Sequence, residues 1–354
     1  MRPRNIIGAA TFLTVFAPGA ASALDFKITD RQATSQAAAC NALADALENI
    51  VNSALFPVGA DSTFLQAMGN ANVTATRGMG TDPVSDWGTL SLTTQVGAAL
   101  EVPKPGKSGA GVKPNGLPAL GVGAQGGVSV GLPAQSLGLS APIVGLDPQR
   151  LKLYANFLTL PLGEVSTGVR LGFTTFGLQG QYSAVPASTG NFWINWSGLQ
   201  VSSGLQYSHL TANYATPLAF STSGSGIGMS YNAKLDLGVV TDIVTLPLEA
   251  TAGITLIHFL TLYGGAGIDL NAGASKLVGG VSGPVIAKNG GGSTVFSGNG
   301  VLDANSPKGI APKPIDGRVF LGFQLSAWAA RLFAQTTFSS PNTLGVLAGL
   351  RASW

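Results

Sequence analysis

From Trp87 to the end of the chain, apolar and polar residues alternate with a period of two. Ile227, Met229, Tyr231, Ala233, Leu235 and Leu237 alternate with Gly228, Ser230, Asn232, Lys234 and Asp236. Leu262, Gly264, Ala266, Ile268, Leu270 and Ala272 alternate with Thr261, Tyr263, Asp269 and Asn271. The last residues put Leu344, Val346, Ala348, Leu350, Ala352 and Trp354 on one face and Thr343, Gly345, Leu347, Gly349, Arg351 and Ser353 on the other. Alternation of this kind is the signature of a β-strand with two unlike faces. It predicts strands at 87–102, 120–132, 150–160, 167–182, 199–214, 227–240, 243–257, 261–275, 316–326, 328–339 and 343–354. The phase slips at Thr174-Thr175, which predicts a β-bulge. The stretches 103–118, 133–149 and 276–315 lack periodicity, are rich in Gly, Pro and Ser, and read as loops.

The period is different before residue 87. Cys40, Leu43, Leu47, Ile50, Val51, Ala54 and Leu55 recur at spacings of three and four, which predicts a helix capped by Thr34 or Ser35 and ended by Pro57. A second short helix is predicted over 61–68, with Gly69 as its stop. The apolar face of this amphipathic segment is expected to be buried either inside the strand domain, as a plug, or in the periplasm, packed beneath that domain or on a partner. At the start, Met1-Arg2-Pro3-Arg4 is basic, residues 6–16 are apolar and Ala21-Ser22-Ala23 is a small-residue cleavage box, so an export signal cut near Ala23 is expected. The expected organisation is a signal peptide over 1–23, a helical segment over 24–86 and a strand domain over 87–354.

Composition decides what kind of strand domain this is. Charged residues make up only 10 % of the chain and glycines number 49, against about 25 % charged in soluble proteins. Several predicted strands match the 9–11 residues of a tilted membrane span. The fold class expected is all-β: a transmembrane antiparallel up-and-down β-barrel of about 12 strands (10–14), with even strand number and a short N-terminal helical segment. The nearly uncharged stretch 243–268 would pass for a membrane helix by hydropathy. Its Pro247, its glycines and its alternating Val244, Leu246, Leu248, Ala250, Ala252 and Ile254 fit a hairpin turning near 258–260 instead. The formal charge of +3 gives no reason to expect nucleic acid. The single Cys40 supports no disulfide.

Charges on the inward phase are the candidate lumen residues: Arg150, Lys152, Arg170, Lys234, Arg318, Arg331 and Arg351, with the acids Glu101, Asp236, Glu249 and Asp269. Placing Arg or Lys on the lipid face would cost about 2–4 kcal/mol at the midplane. The excess of cations predicts a mild preference for anions if the lumen is open. Tryptophans at strand ends, Trp87, Trp328 and Trp354 among them, are expected at the membrane interface, with Trp354 also serving assembly. Gly121-Val-Gly-Ala-Gln-Gly126 matches a dinucleotide fingerprint but lies in a strand, so no cofactor is expected. No His/Cys cluster suits a metal. For His209 and His258 no partner of a catalytic constellation can be placed, so no enzyme activity is expected.

The leader, the helical segment, the alternating strands and the terminal aromatic together resemble the outer-membrane β-barrel class of Gram-negative bacteria. Gly349 and Trp354 match the C-terminal assembly signal of that class. Leu347 stands where a polar residue is usual, and Ala352 where a larger apolar one is usual. The run from Leu246 to Gly267 resembles barrels of the leptospiral surface-adhesin type, and Gly69-Asn-Ala-Asn-Val is loosely similar to the hatch of long-chain fatty-acid channels, without their Asn-Pro-Ala motif. The resemblance implies the bacterial outer membrane as location and membrane lipid and the barrel-assembly machinery as partners. Two functions follow: a pore for small solutes, or a closed surface barrel that binds an extracellular ligand through the outer loops 183–198 and 276–315. Adhesion is implied by the leptospiral resemblance alone.

Overall fold

The computed structural model describes residues 26–55, 60–78, 82, 90–101, 121–139, 146–166, 168–188, 193–303, 309–339 and 342–354. The expected export signal and Trp87 lie outside them. Two helices, α1 (Ala37–Leu55) and α2 (Ala60–Ala75), follow a short strand β1 (Lys27–Ala33). The remaining strands are β2 (Ser91–Glu101), β3 (Gly121–Pro133), β4 (Leu151–Ser166), β5 (Val169–Val185), β6 (Ile194–Gly224), β7 (Ile227–Leu256), β8 (Leu260–Asn289), β9 (Thr294–Asp303), β10 (Ile315–Ala327), β11 (Ala330–Ser339) and β12 (Thr343–Ser353).

Among the described residues twelve strands form one antiparallel sheet, and ten of them close on themselves in the order β2 to β8, then β10, β11, β12 and back to β2. The seam pairs Thr343 with Glu101 and Ser353 with Ser91. Closure leaves no edge in the hydrocarbon, where an unpaired N–H or C=O would cost several kcal/mol. Along the ring strands the buried phase is largely polar and the exposed phase apolar: Thr93, Gln95 and Glu101 point in, while Leu92, Val96 and Leu100 point out. The ring is therefore a transmembrane β-barrel.

The other two strands belong to a lobe. β6, β7 and β8 run 30 residues or more, far beyond the length of a span. β8 changes partner part-way. Leu260–Leu270 pairs with β10, and Gly280–Lys288 pairs with β9. β1 adds to the outer edge of β9. In the lobe the polarity of the faces is inverted. On β7 the odd positions stay buried or half-buried throughout, but Ile227, Met229, Tyr231, Leu235 and Leu237 are apolar, whereas Thr241, Thr245 and Thr251 are polar. The lobe's odd face joins α1 residues Cys40, Ala44, Leu47 and Val51 in an apolar core with Phe26, Val285 and Phe296.

This inversion corrects several expectations. The segments 227–240 and 243–257 are one strand. The predicted strand 199–214 continues to Gly224 and turns at Ser225-Gly226, both at positive φ (53° and 74°), as a two-residue hairpin requires. The presumed loop 276–315 contains the second half of β8 and all of β9. No bulge occurs at Thr174-Thr175, where β5 keeps continuous register with β6. The apparent slip marks the height at which the inward face turns from Gln179 and Thr175 to Phe173, which packs on an apolar cluster around α2. Because β7 is one strand, the connection from β5 to β6 lies at the same rim as the C-terminus, so 183–198 and 276–315 occupy opposite ends. β1 was not anticipated at all.

α2 runs past the expected stop at Gly69. A Cβ at Gly69 would sit 3.1 Å from Ser275 Oγ and 3.2 Å from Pro312, so this glycine serves a close approach rather than a helix end.

Candidate functional site: the filled lumen

α2 lies inside the ring. Gly121 and Gly123 of β3 provide a smooth track for it, since a Cβ there would come within 2.2 Å of Ala67 O and 2.3 Å of Ala71 O. The glycine-rich motif of β3 thus has a packing purpose. The first half of the helix is greasy, with Phe64, Leu65 and Met68 packed against Leu210, Val239 and Leu277. The second half is polar and buried. Asn72 donates to Ser208 Oγ (3.1 Å) and accepts from Gln125 Nε2 (2.5 Å), whose Oε1 accepts from Thr175 (2.6 Å). Asn70 donates to Glu101 (3.2 Å) and accepts from the Lys313 backbone N–H (2.7 Å).

Two ion clusters hold Arg77 and Asp82, which follow the helix in sequence. In the upper one Arg77 Nε lies 2.8 Å from Asp269 Oδ2, which also accepts from Arg318 Nε at 3.1 Å, and Arg318 Nη2 reaches Glu249 at 2.6 Å. In the lower one Asp82 pairs with Arg351, and Arg331 lies 3.8 Å away. Gln181 Nε2 donates to Asp82 O at 2.6 Å. Arg77, Asp82, Asp269, Arg318 and Arg351 are all at or below 4 % exposure. A buried charge is tolerated only when paired, and removing one partner costs about 3–5 kcal/mol.

The sequence-derived candidates divide cleanly. Lys152, Glu101, Glu249, Asp269, Arg318, Arg331 and Arg351 face the lumen. Four expected lumen residues do not. Arg150 sits in the turn before β4, exposed beside Asp147. Arg170, Lys234 and Asp236 are exposed on the outward phase, above the apolar belt, where water rather than lipid meets that face. Arg77, Asp82 and Asp316 are lumen residues that sequence reasoning missed. Asp316 shares the phase of Arg318, and that signal was available. Arg77 and Asp82 stand in a stretch without period. Among the described residues the inward cations Arg77, Lys152, Arg318, Arg331 and Arg351 are matched by Asp82, Glu101, Glu249, Asp269 and Asp316, so the expected cation excess disappears.

The rims are also distinct. Trp193, Trp196, Trp328 and Trp354 are exposed and gather at the C-terminal rim, where the Ile257 N–H donates to Trp193 O and the Ser353 N–H to Ala329 O. At the other end α1 guards the lobe's edge strand. The free N–H groups of Phe26 and Ile28 donate to Asn52 (2.7 Å) and Glu48 (2.6 Å). Arg31 of β1 bridges Asp45 and Glu48 at 2.7 and 2.6 Å, and its hydrogen bond to Asp45 raises its pKa. Burial in the lobe pushes Tyr231 up to about 12. No group of three or more His, Cys, Asp or Glu residues among the described residues is arranged to hold a metal ion.

A closed ring with a polar, filled interior and an apolar outer belt places this chain in the class of transmembrane β-barrel proteins. Residues 23–354 match the family model described as Lsa36-like. The chain belongs to the Lsa36-like family. Among curated proteins none matches. Solved structures with some likeness include the transport unit of the autotransporter AIDA-I from Escherichia coli, at 10 % identity and TM-score 0.34, covering 82 % of this chain and 100 % of that one. A major outer membrane protein from Thermus thermophilus overlaps at 12 % identity and TM-score 0.28, covering 75 % and 99 %. The attachment invasion locus protein Ail of Yersinia pestis, in complex with the heparin analogue sucrose octasulfate, overlaps at 10 % and 0.21, covering 75 % and 95 %. At these scores the overlap is loose, and the class rests on the barrel's own geometry.

Proposed function

We propose that this protein is an outer-membrane barrel closed by α2, working through the lobe it holds above the membrane rather than through its lumen. The observation that carries this reading is the seating of α2: its polar half is hydrogen-bonded to the wall, and the following chain is ion-paired to Asp269 and Arg351. Short turns face the periplasm in bacterial barrels. The longest excursion from the ring, the second half of β8 with β9, leaves the rim opposite the C-terminus, and longer loops face outside, which points the lobe outward. A surface that binds an extracellular ligand would then be built from β6 to β9 with β1 and α1.

A second reading, a channel for small solutes, draws on the wall itself. Gln95, Gln125, Gln200, Gln206, Gln324 and Gln335 line it, as they would a wet passage once α2 moved. Planar-bilayer recording of the purified protein separates the two. Closure predicts a silent wild type and transient openings in an Asp82→Asn, Asp269→Asn variant. Steady conductance steps in the wild type would overturn closure and favour the channel.

A further inference from the structure

One polar cluster lies outside the lumen, on the outer face of the barrel where the apolar belt ends. His209 and Asp242 are direct ladder partners on β6 and β7. His209 Nδ1 lies 2.8 Å from Asp242 Oδ1, and His209 Nε2 lies 3.0 Å from Thr211 Oγ1. Tyr207 OH donates to the same Asp242 oxygen at 2.8 Å. A carboxylate only accepts, so it fixes the proton on Nδ1 and leaves the Nε2 lone pair to accept from the threonine hydroxyl. This is the connectivity of an acid, an imidazole base and an activated hydroxyl, recognised by geometry rather than by order in the chain.

The ladder enforces the arrangement. His209 and Thr211 share a face because they are two apart, and Asp242 sits opposite His209. Two residues further on the same face, Asn213 holds its carbonyl oxygen over Gly238 with no hydrogen-bond partner among the described residues. The height of the cluster also matters. Below it on the same face are Leu205, Val244, Leu246 and Leu248, exposed and apolar. Above it are the exposed Asp236 and Lys234. A group held at this boundary stands level with the ester linkages of a glycerolipid, between hydrocarbon and headgroup.

We propose that Thr211, His209 and Asp242 form an acyl-hydrolase site that takes the carboxylic ester of a membrane lipid. Thr211 Oγ1 attacks the ester carbonyl carbon while its proton passes to His209 Nε2. The C–O bond to the glycerol oxygen breaks, and that oxygen takes the proton from His209 and leaves as the lysolipid alcohol. Water then attacks the threonyl ester, giving its proton to His209, which returns it to Thr211 as the fatty acid departs. Asp242 orients the imidazole and stabilises its cation, and Tyr207 orients Asp242. No co-reactant beyond water is needed.

The test uses the full folded protein in phosphatidylethanolamine vesicles and a fluorophosphonate probe, which phosphonylates activated hydroxyls. The wild type is expected to carry the adduct on Thr211. Thr211→Ser, with a less hindered hydroxyl, should label several-fold faster; His209→Gln should label at least tenfold more slowly and Thr211→Ala not at all, each with heat-modifiable migration intact. Fatty acid should be released in the same rank order. Absence of an adduct from both the wild type and the folded Thr211→Ser variant would overturn the site. An adduct without fatty-acid release would overturn the lipid as substrate. Neither result depends on whether the lumen is open.

Discussion

The two halves of β7 share a backbone, a register and a buried phase, yet they are chemically opposite. Over 243–255 the outward residues are Val244, Leu246, Leu248, Ala250, Ala252 and Ile254, and the inward ones include Thr245, Glu249 and Thr251. Over 227–239 the outward residues are Gly228, Ser230, Asn232, Lys234 and Asp236, and the inward ones are Ile227, Met229, Tyr231, Leu235 and Leu237. The difference is the solvent. In lipid the outer face must be apolar and the enclosed face can be polar, whereas in water the enclosed face must be apolar. Alternation fixes which residues share a face, but not which face is inside. What closes each interior follows from this: the polar half of α2 is held in the ring by hydrogen bonds and the residues after it by ion pairs, whereas α1 covers the lobe through Leu47, Val51 and Ala44.

The most damaging substitutions lie inside the ring. Asp269→Ala would leave Arg77 and Arg318 buried and facing each other. We expect a loss of about 3–5 kcal/mol, measured by urea unfolding from vesicles with tryptophan fluorescence. On the outer face of β7, Leu248→Arg should cost about 2–4 kcal/mol in the same measurement, the value for a cation near the bilayer midplane. At the lobe's edge, Glu48→Ala removes the acceptor of the Ile28 N–H and one partner of Arg31, and should cost about 1–3 kcal/mol. It should also speed hydrogen exchange at Ile28. The smallest effect sharpens the contrast most. Asn232→Arg lies on the same outward phase as Leu248, but in the lobe, and should change stability by less than about 0.5 kcal/mol. An Asn232→Arg cost equal to that of Leu248→Arg would place both halves in lipid.

The barrel was legible in the sequence because ring strands such as β2, β11 and β12 alternate without interruption and their polar phase carries the charges. The lobe was legible only as strands, and its sign was lost. Lys234 and Asp236 look like lumen residues until the inversion at Thr241-Asp242 is known, and that pair itself reads as a turn between two strands. Arg170 fails for the same reason. The second half of β8 was hidden by Gly279, at φ 100°, and by Pro284, residues that normally punctuate loops. Arg77 and Asp82 carry no periodic signal, because their place is set by partners far away in sequence: Asp269 and Arg351. His209 and Thr211 were visible as neighbours on one face, but Asp242 joins them only through the β6–β7 register.

A single strand passes from lipid to water at Thr241-Asp242 with its buried phase unchanged. Single cysteines placed along β7 in a Cys40→Ala background, spin-labelled in vesicles, test it directly. Labels at 246, 248 and 250 should be reached by oxygen and not by a water-soluble nickel chelate. Labels at 228, 232 and 234 should be reached by the chelate, and labels at 229, 231 and 235 by neither. Uniform oxygen accessibility along all the even positions from 228 to 254, or chelate accessibility switching from even to odd positions at 241, would contradict the account.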